Sequence, residues 1–99
     1  MIKSNGKIIK IQYADLLFAE THVNYIKIVS SNTSIVANMT FTNFEDLLPK
    51  KTFIRVHRSF IIHKSKISHI EGNGVFIDKR EITIIGSNYK ESFFKSLGL

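Results

Sequence analysis

Short alternating runs of apolar and polar residues, with no long amphipathic stretch, set the pattern of this chain. Residues 24–30 place Ile26 and Ile28 opposite Tyr25, Lys27 and Val29, the period of two expected of a strand with two unlike faces. Similar runs cover residues 7–12, 15–20, 34–38, 53–56, 60–63, 67–71, 75–79 and 81–85. They recur at intervals of about ten residues, as in all-β domains. Ser30-Ser31-Asn32-Thr33 is turn chemistry and predicts a hairpin between residues 24–30 and 34–38. His57-Arg58-Ser59 predicts a tight three-residue corner between two strands. Gly72-Asn73-Gly74 predicts a hairpin centred on Asn73-Gly74, because both central residues of a type I′ turn need φ > 0. Asp78-Lys79-Arg80-Glu81 turns the chain once more.

Two segments follow a helical period instead. In residues 41–48, Phe41, Phe44 and Leu48 share one face at i, i+3 and i+7. Thr40 or Thr42 can cap this helix, Thr42-Asn43-Phe44-Glu45 has capping-box spacing, and Pro49 stops it. The second helix covers residues 88–97. Ser87 is its expected N-cap, Tyr89, Phe93 and Leu97 its buried stripe, and Gly98 its stop. Free N–H groups at such a start would make Ser87 and Asn88 a phosphate site.

Composition agrees with a mainly β fold: sixteen isoleucines, five valines and eight phenylalanines favour strands. Ninety-nine residues form one domain, residues 1–99, with a core that needs no staples. The chain has no cysteine, which excludes a disulfide framework and thiolate chemistry and fits a reducing cytoplasm. Its longest apolar run, Leu16-Leu17-Phe18-Ala19, excludes a transmembrane helix. Lys3, Lys7 and Lys10 precede no apolar stretch of the kind a signal peptide needs.

Charge changes the picture most. The net charge of +6 comes from one stretch, where Lys50, Lys51, Arg55, Arg58, Lys64 and Lys66 lie among residues 47–70 without an Asp or Glu. Elsewhere the two signs cancel. Concentrated positive charge is the footprint of a polyanion-binding surface, with a solvated basic face as the plain alternative. Arg58, at the corner, presents a fork of donors suited to phosphate, to a guanine edge or to a narrow minor groove. Either Arg58 or Arg55 can instead pair with Glu45 or Asp46 across the first helix.

Other chemistry is thinner. His57, His63 and His69 recur every six residues, but the turns between them break the convergence a zinc site needs. His57 and Ser59 with Glu71 or Asp78 would make a hydrolase triad, yet no nucleophile elbow accompanies them. Gly72-x-Gly74 is followed by no helix and is not a dinucleotide loop. Phe53 and Phe60 can be read as a base-stacking platform. Alternation instead sends both into the core and leaves Arg55 and the corner outside.

The run Phe53-Ile54-Arg55-Val56-His57-Arg58-Ser59-Phe60-Ile61-Ile62-His63 resembles the signature of the LytTR family of DNA-binding domains. That signature reads Phe-x-Arg-x-His-Arg-Ser-aromatic-aliphatic-aliphatic-Asn. Asn24-Tyr25-Ile26-Lys27, the helix ending in Leu47-Leu48-Pro49, Ile67-Ser68-His69-Ile70 and Gly86-Ser87-Asn88-Tyr89-Lys90 resemble the rest of the family's pattern. Two positions depart from it. His63 stands where Asn is frequent, and Gly86-Ser87-Asn88-Tyr89 lacks the arginine of a Ser-Arg-x-Tyr motif.

The resemblance implies an elongated set of small antiparallel sheets with short helices. It implies the output domain of a bacterial response regulator, partnered in the full protein by a receiver domain and a sensor kinase. Three scattered aspartates, Asp15, Asp46 and Asp78, do not make a receiver here, so the chain is expected to be an output domain separated from one. Loops, rather than a recognition helix, would meet two major grooves and the minor groove between them. By resemblance these loops hold His22 and Asn24, then His57, Arg58 and Ser59, then Ser87 and Asn88. Arg55 is grouped with the second loop, Lys64 and Lys66 are expected on phosphates, and Lys90 adds charge beside the third. The expected partner is double-stranded DNA at repeated half-sites, bound by a protein that is a monomer when free. No cofactor, metal or enzymatic role is expected. The alternative is a β module that binds RNA or anionic head groups without reading bases.

Overall fold

Alternation decides which side of a central sheet each residue faces. The protein is seen as a computed structural model that describes residues 2–4 and 6–99. The described residues form β1 (Ile2–Ser4), β2 (Lys7–Ile9), β3 (Leu16–Thr21), β4 (Ile26–Ser30), β5 (Ser34–Ala37), α1 (Phe41–Leu47), β6 (Phe53–His57), β7 (Phe60–His63), β8 (His69–Glu71), β9 (Gly74–Ile77), β10 (Arg80–Ile84) and α2 (Lys90–Ser96). They build a five-stranded antiparallel sheet in the order β5-β4-β3-β7-β6, a three-stranded sheet β10-β9-β8, and the hairpin β1-β2. The molecule is mainly β and elongated, 41 × 25 × 22 Å.

The five-stranded sheet is covered on both faces. Leu16, Ala19, Ile26, Ile28, Phe53 and Ile61 pack against Phe41, Phe44 and Leu48 of the α1 segment. Phe18, Val56 and Ile62 belong to a second core with Val75 and Ile77 of β9, with Ile85, and with Phe93 of α2. Neighbours such as Phe18 and Ala19, or Ile61 and Ile62, divide between the two cores because successive side chains leave a pleated strand on opposite sides.

Several boundaries differ from those read in the sequence. Thr40, not Thr42, caps α1, accepting the Asn43 N–H at 3.1 Å. The β8-β9 turn is centred on Gly72-Asn73, since Glu71 pairs with Gly74. Gly72 has φ of +61° and Asn73 is not in the positive region, so glycine occupies the first central position of a type II′-like turn rather than a type I′ one. Gly74 lies inside β9, where an added Cβ would meet the Glu81 carboxylate at 2.7 Å. Two single 3-10 turns, Tyr13–Asp15 and Lys64–Lys66, delay β3 to Leu16 and β8 to His69.

His63 closes the second of these turns. It is buried, its Nδ1 accepts the Ser65 N–H at 3.2 Å, and its ring meets Phe53 edge-on. Burial, and next the charge of Lys66, hold its imidazole below the ordinary histidine range against an opposing backbone hydrogen bond. The fold therefore prefers neutral His63. Its contribution to stability is complete above the unfolded value of about 6.5 and is lost as pH falls through the lowered folded value. The melting midpoint should drop as pH falls below the ordinary histidine value of about 6.5, and the drop should be smaller in His63→Asn, which keeps an acceptor for Ser65. Identical pH profiles for the two proteins would refute the assignment.

Candidate nucleic-acid interface

The turn between β3 and β4 closes when the His22 N–H donates to the Tyr25 carbonyl at 2.8 Å. The His22 ring stacks on Tyr25 with centroids 4.6 Å apart, and its Nε2 lies 3.4 Å from the Glu20 carboxylate. Val23 and Asn24 form the tip, and Val23 is 97% exposed. An aliphatic tip thus stands next to the basic corner, a feature that no period in the sequence signals.

The turn between β6 and β7 is shorter than the three-residue corner expected. His57 remains in β6 and pairs with Phe60, leaving Arg58-Ser59 as the turn. A bulge between Arg55 and His57 absorbs the mismatch in register and re-aims the strand end. The His57 Nδ1 accepts the Ser59 N–H at 3.1 Å, so a neutral His57 carries its proton on Nε2. Arg58 is exposed.

Backbone hydrogen bonds join the three loops. The Thr21 N–H donates to the Ser59 carbonyl at 2.9 Å, tying the first loop to the second. The Gly86 N–H donates to the Val56 carbonyl at 2.8 Å, laying the third loop along the edge strand β6. Gly86 sits so close that a Cβ there would be 3.4 Å from the His57 Cα and 3.1 Å from the Tyr89 ring. His22, Asn24, His57, Arg58, Ser59, Ser87 and Asn88 therefore gather at one end of the sheet, and Lys90 follows in the first turn of α2.

Arg55 departs from its expected place. It shares a strand face with Phe53, two residues away, and so points toward α1 rather than outward. Its guanidinium lies 3.3 Å from Glu45 Oε1, donates to the Arg58 carbonyl, and sits 4.9 Å from the Phe41 ring centroid and 5.8 Å from that of Tyr89. Of the pairings open to the two arginines, the one formed is Arg55 with Glu45.

The basic stretch is also not one patch. Phe53 pairs with His63, and the Lys64 N–H donates to the Thr52 carbonyl at 2.8 Å. Lys50, Lys51, Lys64 and Lys66 consequently collect at the end of the β6-β7 hairpin opposite Arg58. Five strand residues at about 3.3 Å each separate the two ends by roughly 16 Å. Lys64 and Lys66 do not join the loops.

Residues 6–98 match the family described as the LytTr DNA-binding domain. The chain belongs to that family. A solved domain from Bacillus cereus, described as the LytTr DNA-binding domain of a response regulator, superimposes with a TM-score of 0.86 at 25% identity, covering 99% of this chain and 94% of that one. Among curated relatives, the transcriptional regulatory protein NatR of Bacillus subtilis is 33% identical over 69 residues, 70% of this chain and 30% of that protein. Transcriptional regulatory protein YpdB of Escherichia coli K12 is 37% identical over 57 residues, 58% of this chain and 23% of that protein. The sensory transduction protein LytT of B. subtilis is 30% identical over 64 residues, 65% of this chain and 27% of that protein. The chain spans between about a quarter and a third of the length of these relatives.

Within this LytTr domain the third loop differs from its sequence reading. Ser87 is not a helix cap. Ser87 and Asn88 lie in a turn closed by the Tyr89 N–H on the Gly86 carbonyl at 2.9 Å, and α2 begins only at Lys90. Glu91 occupies its first turn and disfavours an anion there. The triad pairing is absent too: the His57 ring engages the Ser59 N–H and Phe60, and no described carboxylate pairs with it. Among the described residues no three His, Asp or Glu side chains come together as metal ligands. No described helix is long and apolar enough to cross a membrane. Glu45 is one of the two carboxylates the sequence offered the arginines; Tyr89, expected in the buried stripe of the second helix, is the residue near Arg55 that sequence reasoning missed. The β6 alternation is the signal that points to Glu45.

Proposed function

We propose that this domain binds double-stranded DNA sequence-specifically as the output module of a transcription regulator of the two-component kind, with a receiver domain and a sensor kinase as partners of the full protein. The reading rests on the gathering of three loops at one end of the five-stranded sheet, where exposed Arg58 stands beside Val23, Asn24, Ser87 and Asn88. Arg58 suits a guanine edge or a narrow minor groove, Asn24 and Asn88 suit adenine, and Val23 suits a thymine methyl group. Loops of this kind fit successive grooves, and two copies would occupy repeated half-sites. Without an arginine, the third loop positions the domain more than it reads bases.

Selection of binders from a random duplex library tests the reading. A repeated enriched motif is expected. Enrichment of nothing would favour a module that binds RNA or anionic head groups through charge alone. Salt gives a second measure. If only the loop end engages, two or three phosphates are neutralised, and log K against log salt should slope at about −2 to −3. A slope of about −5 would mean that the lysine end engages DNA as well, against the loop-end reading.

A further inference from the structure

Arg55 is the point where three parts of the fold meet. Its Nη1 reaches Glu45 of α1 at 3.3 Å, and its Nη2 donates to the backbone carbonyl of Arg58 at the tip of the second loop. Its plane lies near the rings of Phe41, at the start of α1, and Tyr89, in the third loop. The side chain is a quarter exposed. Its Nε is buried and has no partner among the described residues. A buried donor left unpaired is destabilising, so this placement is one that burial alone would not select. A guanidinium has donors in one rigid plane, and here they are committed inward.

We propose that Arg55 is a positioning residue that fixes the Arg58 turn and the Tyr89 loop relative to α1, so that site discrimination on DNA depends on Arg55 and on Glu45 although neither touches DNA. The proposal rests on the DNA-binding reading above. It separates two arginines that the sequence presents as equals. Arg58 has its side chain exposed and its carbonyl held, whereas Arg55 does the holding. The consequence reaches α1: Glu45 orients the guanidinium from the far side, so a change on a helix outside the loops alters how the second loop presents Arg58.

The test uses the whole chain and two duplexes, the preferred site from the library selection and a scrambled one of equal length. Arg55→Met keeps much of the packing on Phe41 and removes the fork. It should lose tenfold or more on the preferred duplex, change little on the scrambled one, and leave the salt slope unaltered. Glu45→Gln keeps Arg55 but weakens its orientation, and should move discrimination the same way by a smaller factor. The double variant should be no worse than Arg55→Met alone, since both act through one linkage. Equal losses on both duplexes with a slope reduced by about one would show a phosphate contact and overturn the proposal. Unchanged discrimination in both single variants would overturn it too. If Arg55→Met fails to fold, Glu45→Gln decides. A wild-type protein that prefers no duplex would instead refute the DNA-binding reading, a result distinct from either.

Discussion

Arg58→Ala should weaken binding to the preferred duplex by about 1–3 kcal/mol and blunt discrimination, while Lys64→Ala should leave both nearly unchanged. The two residues are six positions apart in an unbroken basic stretch, and on sequence alone Lys64 is expected on a phosphate. The β6-β7 hairpin separates them. Arg58 sits in its turn, and Lys64 follows the far end of β7, held there by the Thr52 carbonyl. A lysine roughly 16 Å from the loops is beyond the Debye length of about 8–10 Å at physiological salt, so its field adds little at the DNA surface. Titration of labelled duplexes with each variant measures both effects. A Lys64→Ala loss as large as that of Arg58→Ala would mean that DNA runs along the hairpin instead of across its turn.

What the sequence disclosed, and what it hid, follows from the range of the interactions. Strand positions and the α1 stripe were legible because burial repeats with the local period: Ile26, Ile28, Phe41, Phe44 and Leu48 are all buried as the pattern requires. The Arg-x-His-Arg-Ser motif disclosed the family because it is local in the chain. Pairing geometry was less visible. That Lys50, Lys51, Lys64 and Lys66 share one end could have been read from the hairpin itself, since residues before one strand and after its partner must meet. The inward turn of Arg55 was available from its alternation with Phe53, but it needed the knowledge that α1 covers that face. The start of α2 was misplaced for a different reason. Ser87 has cap chemistry, yet the Gly86 N–H is claimed by Val56 and the Tyr89 N–H by Gly86, so the chain stays in a turn for three more residues. Nothing in the residue pattern announces the exposure of Val23.

Phe93→Ala should lower the free energy of unfolding by about 3–5 kcal/mol. Phe93 is fully buried, and its core joins the two sheets: Val56 and Ile62 from the five-stranded sheet, Val75 and Ile77 from β9, and Ile85 just before the third loop. Removing the ring leaves a cavity that a β-sheet on either side cannot readily collapse to fill. A domain of this size has a total stability of about 5–15 kcal/mol, so the loss is a large share of it. Urea unfolding should show a lower midpoint with an unchanged slope, and Phe93→Leu should lie between the variant and the wild type. The effect also bears on function. The Phe93 N–H donates to the Tyr89 carbonyl at 2.9 Å, so the residue whose ring anchors α2 is tied through its backbone to the end of the third loop, beside Arg55. In conditions where Phe93→Ala is still folded, it should bind the preferred duplex less tightly than its folded fraction accounts for. A stability loss below about 1 kcal/mol would mean that α2 does not close this core as described, and the packing of the third loop on β6 would fall with it.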